Sequence, residues 1–148
     1  MREILFRGKR IDNGEWAYGY YFYDSFYNKA YITTGNYCMR ISKEKPNQRI
    51  INAFEIGPNT VGRYIGKKDK NDNKIFEGDI LEADVFKNLN RCKVIWTVEY
   101  KERFSQGNGY YFYDKNRRFN ARATQSTIIN THAMVIGNIY DNTELLKE

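Results

Sequence analysis

The run CKVIWTVEY, Cys92–Tyr100, alternates well. Val94, Trp96 and Val98 fall on one side and Lys93, Ile95, Thr97 and Glu99 on the other, the period of two that marks a half-buried strand. Outward from it the same character continues. Upstream, IFEGDILEADVF (Ile75–Phe86) reads as β, with Gly78-Asp79 as a bulge or tight turn. Downstream, QGNG (Gln106–Gly109) is a hairpin signal and Tyr110–Tyr113 its return strand. MVIGNIY (Met134–Tyr140) is the last strand. Asp141–Glu148 then forms one short helical turn, capped by Asn142 or Thr143 with Glu144 in its first turn.

Toward the N-terminus, ILFRGKRI (Ile4–Ile11) and EWAYGYYFYD (Glu15–Asp24) flank Asp12-Asn13-Gly14, whose Asn-Gly step suits a type I′ hairpin. KAYITT (Lys29–Thr34), Arg49–Ile56 and TVGRYIG (Thr60–Gly66) supply further strands. SKEKPNQ (Ser42–Gln48) is a polar loop, and a short helix is placed near Ser42–Phe54. No stretch of about 12 residues carries a 3.6 period. Many short strands with Gly and Asn turns predict a mainly β chain, a barrel or sandwich. Gly57-Pro58 is the break chosen between an N-terminal β portion, 1–57, and a C-terminal domain, 58–148.

Composition narrows the function. The chain has 148 residues, with 24 Lys plus Arg against 18 Asp plus Glu, a net charge of +6. Aromatics make up 16 %, including 13 Tyr, which argues against a disordered chain. No apolar run approaches the ~20 residues of a membrane span. MREILFRGKR is too charged to supply a secretory signal. The reading is a basic domain of the cell interior with no membrane partner.

Two cysteines, Cys38 and Cys92, and one histidine, His132, lack the paired short spacing of a zinc site. Both cysteines read as buried free thiols. Asp69, Asn71 and Asn73 alternate as at the start of a calcium loop, but Lys74 and Ile80 stand where that loop needs Gly and a bidentate Glu. Four lysines, Lys67, Lys68, Lys70 and Lys74, oppose a cation there. The turn is read as solvated, without metal. No GxSxG elbow, GxxxxGK[ST] loop or GxGxxG turn is present. No catalytic residue and no cofactor are assigned.

Three segments together resemble the YopX family of phage and prophage proteins. They are YIGKKDKNDNKIFEGDIL (Tyr64–Leu81), the opening REILFRGKR with GEWAYGY, and VIGNIYDNTELL (Val135–Leu146). Two positions depart: Thr143 replaces a usual Pro, and Asp72 or Asn73 replaces the turn Gly. The resemblance implies an SH3-like barrel in the C-terminal part behind a smaller β portion. It implies no catalytic activity, and a setting in the cytoplasm of the bacterial host. Glu77, Gly78 and Asp79 are expected to turn the chain into a barrel strand, with Asp79 bonding nearby amides.

The function expected is a non-enzymatic accessory protein that binds a host or phage protein or assembles into a homo-oligomer. Tyr18, Tyr20, Tyr21, Phe22 and Tyr23 cannot all face one core, so some must lie outward, as at an interface. The alternative is binding of DNA or RNA. Lys67, Lys68 and Lys70 make one basic loop. Arg117, Arg118 and Arg122 make another, preceded by Tyr110, Tyr111 and Tyr113 as rings for stacking bases.

Overall fold

WAYGYYFYD folds as the alternation requires. Trp16–Asp24 is a strand (β2) between β1 (Phe6–Lys9) and β3 (Lys29–Thr33), all antiparallel. The structure, a computed structural model, describes residues 3–33, 40–41, 49–50, 53–102, 107–117 and 120–147. The predicted helix near Ser42–Phe54 lies largely outside them, as do Cys38 and Arg118. Arg40–Ile41 (β4) and Arg49–Ile50 (β5) form a separate short ladder, and Phe54–Ile56 (β6) pairs with β3.

The chain divides into two compact units, Met1–Arg63 and Tyr64–Glu148, with the division past Gly57-Pro58 and inside β7 (Gly62–Lys68). In the first unit, Gly62 and Arg63 pair with Arg7 and Phe6 of β1. Its core is Ala17, Ala30, Ile32 and Ile56, with Phe6, Tyr21 and Val61 packed on it. Ile32 and Ile56 are fully buried, which at about 1.5–3 kcal/mol per large aliphatic side chain is the main apolar contribution of so small a core. Gly19 permits this packing: a Cβ there would strike the Thr33 carbonyl. The opening hairpin is not the type I′ turn that Asn-Gly suggests. Arg10 donates to Glu15 O (2.9 Å), so the loop runs from Ile11 to Gly14, and Gly14 takes the left-handed backbone at φ +72°.

In the second unit, β7 continues against β8 (Lys74–Phe76). β9 (Asp79–Lys87), β10 (Asn90–Lys101), β11 (Gly109–Asp114), β12 (Asn120–Arg122) and β13 (Met134–Asn138) form a five-stranded antiparallel sheet in the order β12-β11-β10-β9-β13. Trp96 and Val98 of β10 are buried with Ile65, Ile75, Leu81, Ala83, Phe112, Ile128 and Ala133, as the alternation predicts, and the Trp96 ring stacks on Phe112 at 5.1 Å.

The fold is mainly β as expected, and the sheet is open where the expected SH3-like barrel would close. Its edge strands β12 and β13 do not pair with each other among the described residues. Between them in the chain Gln125–Thr131 forms a helix, α1, whose Ile128 is buried in this core. That helix is too short for its period to show in sequence. Thr124 Oγ1 accepts Thr127 N at 3.1 Å, an N-cap, and His132 ends the helix at φ 50°. The C-terminal turn is a 3-10 helix, Thr143–Leu146, with Glu144 in its first turn. The Asn142 side chain caps no amide of that helix; its Oδ1 accepts Asn138 N instead, at 3.1 Å. No helix among the described residues is long and apolar enough to cross a membrane.

Candidate interaction surface

Because Ala17, Gly19 and Tyr21 of β2 turn to the first unit's core, Trp16, Tyr18, Tyr20 and Phe22 turn the other way. Register places Arg7 opposite Tyr18, Lys9 opposite Trp16 and Tyr31 opposite Phe22. The result is a row of rings along one face. Phe22 stacks on Tyr31 with centroids 5.0 Å apart and planes at 16°. The buried Arg7 guanidinium lies 4.6 Å over the Trp16 ring. Tyr18 and Tyr20, between these two clamps, are 47 % and 55 % exposed. The turn beyond β2 adds Phe26 and Tyr27, set edge to face at 4.8 Å and both exposed. Asp24 fixes that turn, its Oδ1 accepting the amides of Phe26 (2.9 Å) and Tyr27 (3.2 Å).

The basic loops of the second unit are arranged differently from the sequence expectation. Lys68 is drawn to Asp72 (3.4 Å), Lys67 is half-buried and Lys70 is exposed. Arg117 binds Glu99 (2.5 Å) and lies 4.8 Å over the Tyr113 ring. Arg122 lies 5.8 Å over Tyr111 and donates to Asn108 O at 3.4 Å. Tyr111 and Tyr113, expected as outward rings for stacking bases, are buried, a correction with a clear cause. The cations meant to hold phosphates are folded down onto these rings, and the Tyr111 hydroxyl is spent on Gly107 O (2.8 Å). Tyr110 is half-buried against the core and meets Tyr100 edge to face. Arg118 is outside the described residues. Cys92 is a free thiol, half-buried rather than buried, and His132 is exposed.

The motif residues do structural work. Gly78 adopts φ +87°, donates to Val98 O (3.0 Å) and accepts from Ile139 N (2.9 Å). Asp79 is buried and its Oδ2 accepts Phe76 N at 2.8 Å, the amide bond expected of it. Sequence reading missed Asp69. Buried in the KKDKNDNK turn, it accepts the amides of Asn71 (2.9 Å) and Asn73 (2.9 Å) through Oδ1 and that of Val135 (2.8 Å) through Oδ2. Asp72 supplies the left-handed residue at φ +66°, where the resemblance expects Gly. The alternating Asp and Asn residues thus organise a turn. Among the described residues no group of three or more His, Cys, Asp or Glu is placed to hold a metal.

Burial would raise the Asp69 carboxyl, but its hydrogen bonds from Val135, Asn73 and Asn71 outweigh that and hold it below the usual carboxylate range. Glu77 shifts the other way, pushed up by burial and by the charge of Glu99.

Two of the three sequence segments are therefore tied together, Asp69 to Val135 and Gly78 to Ile139. The YopX protein family pattern matches residues 5–147, nearly the whole chain. The chain belongs to the YopX family. Its fold is similar to that of a solved structure, "Crystal structure of protein EF1440 from Enterococcus faecalis", at TM-score 0.62 and 23 % identity, covering 99 % of this chain and all of that one. No curated protein matches it.

Proposed function

We propose that this YopX-family chain is a non-enzymatic protein-binding module, and that the aromatic row of its first unit is the surface it uses. One observation carries the reading: Tyr18 and Tyr20 stand half-exposed between the Phe22–Tyr31 stack and the Arg7–Trp16 pair, already ordered before any partner arrives. Tyrosine, Trp and Arg are the residues that carry most interface energy, and rings fixed in advance lose little entropy on contact. The charges beside the row are mixed, Arg7, Lys9 and Lys29 with Asp24 and Glu55, and Lys29 pairs with Glu55 at 3.4 Å. That balance favours a protein surface over a phosphate backbone. The family resemblance supports a phage or prophage origin and a bacterial cytoplasmic setting, with a host or phage protein as the partner.

The test is affinity capture from bacterial lysate, with and without nuclease, using the chain and its Tyr18→Ala/Tyr20→Ala variant. A specific protein retained after nuclease and lost with the variant supports the reading. For an isolated partner, truncating two central rings weakens binding by about 2 kcal/mol or more each, roughly 30-fold apiece. Retention that disappears with nuclease overturns it in favour of DNA or RNA.

A further inference from the structure

We draw no further inference here: the strongest candidate, the apolar groove of about 420 Å³ beside the exposed β9–β10 turn, carries none, because nothing in the structure shows what covers it.

Discussion

Oδ2 of Asp69 accepts the backbone amide of Val135 at 2.8 Å, across 66 positions of sequence. The same carboxylate closes its own turn through Asn71 and Asn73. Lys70 N adds a parallel bond to Ala133 O at 3.1 Å. A polar turn, which by itself would be a solvated connection, is thereby made the anchor for β13, the edge strand that completes the second sheet.

Asp69→Ala removes that anchor. It leaves amides of Asn71, Asn73 and Val135 without their acceptor, and a buried donor so stranded costs about 1–3 kcal/mol. The turn amides regain some water, so a net loss of about 3 kcal/mol is expected. Chemical denaturation at neutral pH measures it; a loss under about 1 kcal/mol contradicts the anchoring role.

The depressed Asp69 carboxyl fixes the sign of an acid dependence. A carboxyl held low in the folded state and near 3.9 when unfolded adds stability that is fully present above about pH 4. That contribution is lost as pH falls through the lower folded value. Unfolding free energy should therefore drop on acidification below about pH 4, and Asp69→Asn should flatten this part of the profile. Equal slopes in parent and variant would assign the acid loss elsewhere.

The second sheet was legible because β10 largely keeps a period of two, and Trp96 and Val98 are buried as it demands. Its openness was not, and neither was α1, which is only Gln125–Thr131. The outward rings of β2 followed from alternation alone. The burial of Tyr111 and Tyr113 did not. Counting Arg117 and Arg122 as free cations ignored Glu99, which lies opposite Tyr111 in the register and holds Arg117 over Tyr113. Cross-strand partners decide such matters, and they are invisible until register is known.

Glu77 reverses the acid argument. Burial and the neighbouring Glu99 raise its folded carboxyl above the unfolded value near 4.3, so the fold binds this proton more tightly than the open chain does. Its ionisation then costs stability as pH rises through that window. Glu77→Gln should stabilise the chain at pH 7, and the gain should vanish near about pH 4. Denaturation midpoints at both values check it; a gain that persists unchanged in acid would point to packing instead of charge.

Gly78→Ala tests the turn that the shared motif encodes. At φ +87° a side chain is strained whatever space surrounds it, and an added Cβ would come 3.2 Å from the Tyr140 ring. Strain of this kind costs on the order of 1–3 kcal/mol, and the Gly78 bonds to Val98 and Ile139 prevent the backbone from relaxing. A loss of about 2 kcal/mol is expected. Pairing the change with Tyr140→Ala removes the contact but not the strained φ, so the Gly78→Ala penalty should shrink without disappearing. If it disappears, the ring and not the backbone sets the need for glycine.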